Sequence, residues 1–189
     1  MYKMSKKCIV LGITGGIAAY KAADLCSKLM QKSYDVHVIM TKSAQELITA
    51  RTFLTLSKNP VMTSLWDETD WQPGHVALAE RAELLVIAPC TADFIGKFTH
   101  GIADDALTTY ALTHSGKVLL APAMNPKMWN NAAVQANIEI LKERGIEFIG
   151  PAPGHVACGS DGLGRMSEPT EILEKINSQA LQQAISVVE

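Results

Sequence analysis

Apolar runs and amphipathic segments alternate along this chain. Consecutive apolar residues predict five strands, and apolar residues three to four positions apart predict the helices between them. The predicted strands cover residues 7–12, 35–41, 83–88, 117–121 and 146–150, and the predicted helices cover residues 16–31, 43–50, 91–113, 131–144 and 169–186. The runs at 35–41 and 83–88 are almost continuously apolar, as strands covered on both faces must be. The alternation predicts an α/β fold with a single-domain, doubly wound parallel sheet.

Composition is consistent with one domain over residues 1–189. Of the 189 residues, 48% are hydrophobic and 19% are charged, which is enough apolar content for one compact core. The formal net charge of −2 provides no broad basic field, so we expect no nucleic-acid or membrane partner. The first apolar run, residues 8–11, is too short for a signal peptide or a membrane span, so we expect a cytoplasmic protein.

The four cysteines have neither Cys-x-x-Cys spacing nor the spacing of zinc ligands, so we expect no metal site and, in a reducing compartment, no disulfide. Cys8, Cys26 and Cys90 are interpreted as small core residues. Cys158 differs, because it lies among the glycines of residues 154–164, a segment too poor in apolar residues for a core. Such segments are often lids over ligands. The Cys158 thiol could be a nucleophile, a metal ligand or a proton donor.

A glycine-rich turn, residues 12–16, follows the first predicted strand. Its backbone N–H groups could approach a phosphate at the positive end of the next helix. The turn matches neither the dinucleotide fingerprint nor the P-loop. With Thr14 nearby, it suits one phosphate better than a pyrophosphate, which favours FMN. The alternative is a tight strand-to-helix turn that binds no ligand.

Hydroxyl side chains follow two further predicted strands, at Thr41 and Ser43 and at Thr91. They could hydrogen-bond a ribityl chain or a phosphate at the same edge of the sheet. Alternatively, Ser43 and Thr91 are N-caps of the following helices, which is the better interpretation for either residue taken alone.

Two further polar residues lie at positions that favour a site. Asn125 follows the strand at 117–121, and an asparagine there, poorly suited to strand or helix, needs partners for its amide. It could meet a ligand at the carboxyl edge of the sheet, or merely cap the turn before Pro126. His75 lies at a loop-to-helix junction, where an imidazole could take a thiol proton near pH 7. Position alone favours a surface or capping role, and we assign that role to the remaining histidines, His37, His100, His114 and His155.

Four segments together resemble the flavin-dependent cysteine decarboxylases, and within them the phosphopantothenoylcysteine decarboxylases of coenzyme A biosynthesis. They are GITGGIAAYK at 12–21, Gly-His at 74–75, Pro-Ala-Met-Asn at 122–125 and ACGSDGLGRM at 157–166, in the family's order. The resemblance covers nearly the whole chain and implies a Rossmann or flavodoxin-like fold that binds FMN. The FMN contacts that it implies are Gly15, Gly16, Ile17, Thr41, Lys42, Ser43, Thr91, Ala92, Asp93, Phe94 and Ala123. Many relatives have Ser-Ala-Asn-Thr where this chain has Thr-Ala-Asp-Phe at 91–94.

The resemblance also implies an activity, the FMN-dependent decarboxylation of 4′-phosphopantothenoylcysteine to 4′-phosphopantetheine. His75 would be the base in oxidation of the substrate's CH₂–SH group. Asn125 would hold the substrate carboxylate or the developing charge, and Cys158 would protonate the enethiolate left after loss of CO₂. The implied substrate contacts are Asn125, Met128 and Arg165, although a surface pair between Arg165 and Glu168 is an equal alternative.

Two other functions are compatible with the same FMN-binding segments. The nearer is a peptidyl-cysteine decarboxylase of the lantibiotic type, and the other is a non-catalytic, FMN-binding regulatory subunit. The second is disfavoured because His75, Asn125 and Cys158 are all present. Flavin prenyltransferases lack the His75 and Pro-Ala-Met-Asn combination, and a plain electron carrier would not need Cys158. Relatives form trimers, often assembled into dodecamers, so we expect a homo-oligomer. We also expect a separate synthetase protein in the pathway and no synthetase domain in this chain.

Overall fold

The computed structural model describes residues 6–66, 74–155 and 161–186, which fold around one parallel sheet. Its six strands lie in the order β3-β2-β1-β4-β5-β6, and every described pair is parallel. The strands are β1 (Cys8–Ile13), β2 (Asp35–Met40), β3 (Val61–Met62), β4 (Leu84–Cys90), β5 (Lys117–Pro122) and β6 (Glu147–Phe148). The chain proceeds outward in one direction from β1 to β3 and in the other from β4 to β6. This confirms the predicted doubly wound sheet, with a crevice between the carboxyl ends of β1 and β4.

Helices cover both faces of the sheet. They are α1 (Ala19–Gln31), α2 (Lys42–Gln45), α3 (Ala50–Ser57), α4 (Gly74–Arg81), α5 (Ala92–His100), α6 (Ala106–Thr113), α7 (Pro126–Trp129), α8 (Ala132–Glu143) and α9 (Pro169–Ser186). Alternate residues of β1 point to opposite layers: Ile9 and Leu11 pack against α1, α3 and α9, whereas Cys8 and Val10 pack against α4, α5, α6 and α8. Each layer therefore has its own apolar core, as a sheet buried on both faces requires.

Two predicted helices are each divided in the structure. The segment 91–113 forms α5 and α6, because Gly101, with φ of 71°, ends α5 in the left-handed conformation and Asp105 caps α6. The segment 43–50 contains only α2 and the start of α3. The expectation that Ser43 caps this helix is wrong: the Thr41 side chain accepts the Ala44 N–H at 3.2 Å, and Ser43 lies inside the first turn.

A short antiparallel hairpin was not predicted. Its strands are β7 (Ala152–His155) and β8 (Asp161–Arg165), which pair Gly154 with Gly162. The carbonyl of Gly164 accepts the Met124 N–H at 2.9 Å, so β8 lies against the segment after β5. A side chain at Gly164 would place its Cβ 2.2 Å from the Met124 carbonyl oxygen. Glycine at this position therefore permits the close contact that brings the hairpin to the carboxyl edge of the sheet.

Two sequence-based expectations about burial can be compared with the described residues. Cys8, Cys26 and Cys90 are buried free thiols, which confirms their interpretation as core residues. Among the described helices, none combines the length and the apolar character needed to cross a bilayer.

Candidate functional site

A cavity of about 790 Å³ lies at the carboxyl edge of the sheet. The ends of four neighbouring strands contribute to its wall, through Thr14 after β1, Thr41 after β2, Thr91 after β4 and Ala123 after β5. All of the predicted cofactor contacts line this cavity except Phe94. The predicted substrate contacts Asn125, Met128 and Arg165 line it as well. The fold thus brings together, in one crevice, residues that are more than 100 positions apart in the sequence.

The glycine-rich turn presents free backbone donors to the cavity. Within the described part of the chain, no acceptor takes the N–H of Gly15, Ile17 or Ala18, whereas the Gly16 N–H is bonded to the Thr14 carbonyl at 2.8 Å. These donors immediately precede α1, whose thirteen residues place the positive end of the helix dipole at the same point. The turn therefore has the features of an anion site.

Thr14 has a structural role in this turn. Its buried hydroxyl donates to the Pro89 carbonyl at 2.8 Å and accepts the Thr91 N–H at 3.1 Å. Both hydrogen-bonding functions of the hydroxyl are thereby used within the protein. Thr14 thereby links the end of β1 to the end of β4, on the two sides of the crevice.

Gly15 is at the closest approach between the first two loops of the crevice. A Cβ atom built at Gly15 would lie 2.4 Å from the Cβ of Ser43, which is too close for two non-bonded carbon atoms. At Gly16 the nearest atoms to such a Cβ are 3.6 Å away, on Pro89 and Thr91. Of Gly15 and Gly16, only Gly15 is therefore required as glycine by contact with the protein itself.

The loop after β4 confirms the prediction that Thr91 is an N-cap and corrects the prediction that Phe94 contacts FMN. The Thr91 hydroxyl accepts the Phe94 N–H at 3.5 Å, so Thr91 is the N-cap of α5. Phe94 is 1% exposed and packs in the core with Phe98, so its ring does not reach the cavity. Asp93 does line the cavity, and its carboxylate lies 3.2 Å from the ammonium of Lys97.

Asn125 combines a cap with a place in the cavity wall. It is the N-cap of α7, and its Oδ1 accepts the Lys127 N–H at 2.8 Å. Pro126 follows at the first helical position, where a missing N–H does no harm. The cap orients the amide, because one of its two polar atoms is held by the backbone of its own helix.

A carboxylate bridges two cations at the rim of the cavity. Glu168 Oε1 accepts from Lys21 Nζ at 2.8 Å and from a guanidinium nitrogen of Arg165. Hydrogen bonds from Lys21 and then Arg165 hold the pKa of the Glu168 carboxyl below its ordinary value. The pair between Arg165 and Glu168 that the sequence offered as an alternative is thus present, and Arg165 lines the cavity at the same time.

Two of the three candidate catalytic side chains cannot be placed. His75 is the second residue of α4, at the junction where the sequence put it, but its side chain lies outside the described residues. Cys158 also lies outside them, between the described strands β7 and β8. The roles of His75 and Cys158 therefore remain predictions.

Sequence reasoning missed several charged residues of the cavity wall, among them Lys21, Lys97 and Asp104. The position of Lys21 could have been predicted from the sequence. Lys21 lies one turn before the buried Leu25 and therefore on the same face of α1, where a lysine needs a partner for its charge. Lys97 lies four residues after Asp93, the spacing of a helical ion pair, and it also contacts Asp104 at 3.0 Å. The contact with Asp104 depends on the break after α5, which the sequence analysis did not predict.

Two known proteins are similar to almost the whole of this chain. The bifunctional coenzyme A biosynthesis protein CoaBC of Vibrio vulnificus is 45% identical over 174 residues, which cover 92% of this chain and 43% of that protein. The chain therefore spans less than half the length of this relative. A probable phosphopantothenoylcysteine decarboxylase of Streptococcus mutans is 42% identical over 179 residues, covering 93% of this chain and 99% of that one.

Two solved structures share the fold. A mutant PPC decarboxylase complexed with pantothenoylaminoethenethiol superposes with a TM-score of 0.81 at 29% identity, over 92% of this chain and 97% of that chain. The FMN-dependent cysteine decarboxylase SpaF superposes with a TM-score of 0.80 at 30% identity, over 95% and 97%. The Flavoprotein family matches residues 1–181. This chain therefore belongs to the Flavoprotein family.

Proposed function

We propose that this protein decarboxylates 4′-phosphopantothenoylcysteine to 4′-phosphopantetheine, with FMN as its cofactor, in coenzyme A biosynthesis. The observation that carries the proposal is one cavity in which an anion-binding turn and the amide of Asn125 line the same space. The relatives named for this reaction, and the full-length match to the Streptococcus mutans protein in particular, support the choice of substrate.

The cavity fits FMN. The unpaired N–H groups of Gly15, Ile17 and Ala18 would bind the phosphate, with the positive end of α1 behind them. Lys42, Ser43 and Ala123 line the same cavity, with Ser43 packed next to Gly15 of the turn. Bound FMN would supply the electron sink that loss of CO₂ from an N-acylated cysteine requires, by accepting two electrons from the CH₂–SH group and returning them after decarboxylation.

The residues of the chain would handle the substrate's protons and charge. His75 would take the proton from the substrate thiol as the CH₂–SH carbon is oxidised. Asn125 would hydrogen-bond the carboxylate, oriented by its cap on α7. Once CO₂ has left, Cys158 would donate a proton to the carbon of the enethiolate. Arg165 donates a hydrogen bond to Glu168. When substrate binds, the substrate phosphate would replace the Glu168 carboxylate as the acceptor of this hydrogen bond.

A second candidate function is decarboxylation of a cysteine at the end of a peptide. The likeness to SpaF, an FMN-dependent cysteine decarboxylase, is compatible with this class as well, because that name does not specify what carries the cysteine. The chemistry at the thiol and carboxylate would be the same, and only the rest of the substrate would differ.

The proposal extends to assembly and location. Ile17 and Tyr20 line the cavity and are 62% and 64% exposed, so the two side chains, three residues apart, present apolar surface to solvent at the cavity. We propose that a second copy of this chain covers them in a homo-oligomer. A separate synthetase as pathway partner and a cytoplasmic location, both expected from the sequence, are part of the same proposal.

The cofactor and the reaction steps can be tested together. The purified protein should be yellow, and mass spectrometry of the released cofactor should identify FMN. Under anaerobic conditions, the substrate should bleach the flavin only transiently in the wild type and lastingly in Cys158→Ala, which should release CO₂ and stall at an oxidised enethiol. His75→Asn should not bleach. FAD, a nicotinamide nucleotide or no flavin after reconstitution would overturn the proposal, and normal product from Cys158→Ala would remove its role as proton donor.

A further inference from the structure

Three potential metal ligands meet at the amino-terminal edge of the sheet, at the opposite end of the strands from the cavity. The parallel register pairs Cys8 of β1 with Asp35 of β2, and His37 lies two residues further along β2. Since side chains two residues apart on a strand share a face, all three project toward the layer that contains α4. Cys8 is part of the apolar core of that layer.

The ligand atoms of these residues are close together. One atom from each, the Cys8 sulfur, an Asp35 carboxylate oxygen and a His37 ring nitrogen, lies within 4.8 Å of the others. His37 Nε2 is 3.2 Å from Asp35 Oδ2. The other carboxylate oxygen of Asp35 is held by the amide of Asn59 at 3.0 Å, which fixes the carboxylate plane.

The guanidinium of Arg81, at the end of α4, covers this cluster. It lies 2.6 Å from His37 Nε2 and 3.6 Å from Asp35 Oδ2. The geometry is unfavourable for a neutral imidazole, because Nε2 faces a donor and an acceptor at once. If Nε2 carries a hydrogen, that hydrogen points toward the N–H donor of Arg81. If Nε2 carries only its lone pair, the lone pair is repelled by the Asp35 oxygen. A cation without hydrogens would be attracted to both the nitrogen and the oxygen.

We propose that Cys8, Asp35 and His37 form a binding site for Zn²⁺, which enters by displacing the Arg81 guanidinium. Sulfur and nitrogen ligands favour zinc over magnesium or calcium. The separation of 3.2 Å between His37 and Asp35 already suits two ligands of a tetrahedral ion. Because the Cys8 sulfur lies no more than 4.8 Å from the other two ligand atoms, it would have to move by at most about 1 Å to reach a zinc–sulfur distance of about 2.3 Å. Water would occupy the fourth position.

The replacement of the Arg81 guanidinium by Zn²⁺ balances in charge and requires only the movement of an exposed side chain. Zn²⁺ would bind the Cys8 thiolate, the Asp35 carboxylate and the neutral His37 ring, which gives an uncharged cluster and releases one proton to solvent. The Arg81 side chain is 56% exposed, so its guanidinium can move into water. The released proton comes from the Cys8 thiol, because a cysteine binds zinc as its thiolate.

Calorimetric titration of the FMN-loaded protein with zinc chloride tests this site. The titrations use a Cys158→Ala background, which removes the thiol of the candidate site. We expect one zinc per chain, with affinity lowered about 100-fold by Cys8→Ala or His37→Gln, since even partners of metal ligands affect affinity 10- to 100-fold. Cys26→Ala, which removes a buried thiol elsewhere, should bind zinc normally. Arg81→Met should bind at least about tenfold more tightly, because the competing cation is gone.

X-ray absorption at the zinc edge provides a test that does not depend on a core substitution. In the Cys158→Ala protein it should show one sulfur ligand at about 2.3 Å. The proposal is overturned by any of three results: no saturable zinc binding, a zinc ion with no sulfur ligand, or an Arg81→Met protein that binds no more tightly than its parent.

Discussion

At the scale of single residues, the candidate site depends on side chains that stabilise the fold and also line or border the cavity. Asn125 caps α7 and lines the cavity, and Glu168 holds two cations of the cavity rim. When a substitution of such a residue abolishes activity, the loss alone does not show whether a contact with the ligand or a contact that stabilises the fold was removed. Substitutions that preserve the structural contact are therefore the informative ones.

Asn125→Asp should leave folding and FMN content unchanged and reduce turnover about 10²- to 10³-fold. Aspartate is an equally good N-cap, but it would place a negative charge against the substrate carboxylate. The matched control is Asn131→Asp at the N-cap of α8, where Asn131 Oδ1 accepts the Ala133 N–H at 2.9 Å in the same way. Melting temperature, flavin absorbance and turnover should be compared in both variants. Near-normal turnover of Asn125→Asp would remove Asn125 from the site.

Gly15→Ala should reduce FMN affinity at least about tenfold, because the added methyl group must displace Ser43 from a Cβ separation of 2.4 Å. The control is Gly96→Ala in α5, where the nearest atom to a built Cβ is 3.9 Å away. Flavin occupancy measured by absorbance after dialysis distinguishes them. Equal FMN retention in both variants would show that the Gly15–Ser43 contact does not shape the cofactor site.

At the scale of elements, the sequence predicts best where burial is complete. Four of the five predicted strands, β1, β2, β4 and β5, are six or seven residues long and mostly buried, because burial on both faces leaves a continuous signal. The run at 146–150 contains only β6, which has two half-buried residues. The hairpin of β7 and β8 was missed because its pairing depends on glycines that give no periodic pattern. The helix over 91–113 was predicted as continuous because apolar periodicity conceals a break that only Gly101 and the Asp105 cap reveal.

The candidate site follows the same division. Residues at strand ends were predictable, because parallel strands carry their carboxyl ends to one edge. Lys97 and Asp104 were not, because their meeting depends on the course of the loop between α5 and α6. The Cys8, Asp35 and His37 cluster could not be predicted from cysteine spacing either, since it arises from the register between β1 and β2.

Helix α6 should make stability depend on pH through its C-cap, His114. Burial lowers the pKa of this histidine, and a hydrogen bond to the Lys117 carbonyl partly opposes that effect. The unfolded chain therefore binds a proton more readily, and the free energy of unfolding should fall as pH drops from about 6.5 through the lower native pKa. Urea denaturation at pH 7.5 and 5.5 measures this fall.

The substitution His114→Gln should reduce that pH dependence, because the titrating group is lost. His100→Gln, an exposed histidine on α5, is the control and should preserve the wild-type slope. An identical pH dependence in wild type and His114→Gln would contradict the assignment.

At the scale of the whole molecule, the exposed apolar residues beside the cavity connect assembly to the site. If a second copy of the chain covers Ile17 and Tyr20, Tyr20→Asp should reduce the mass measured by light scattering toward the 20.4 kDa of one chain. Leu112→Asp, which changes a side chain 45% exposed on α6, should leave the mass unchanged. A wild-type protein that is monomeric at all concentrations would contradict the proposed oligomer.

The substrate is the central claim, and a competition assay tests it most directly. The FMN-loaded protein is incubated with equal concentrations of 4′-phosphopantothenoylcysteine and a peptide that ends in cysteine, and the products are identified by mass spectrometry. Our account predicts 4′-phosphopantetheine, one CO₂ for each molecule formed, and an unchanged peptide. Decarboxylation of the peptide alone, or of neither compound, would contradict it.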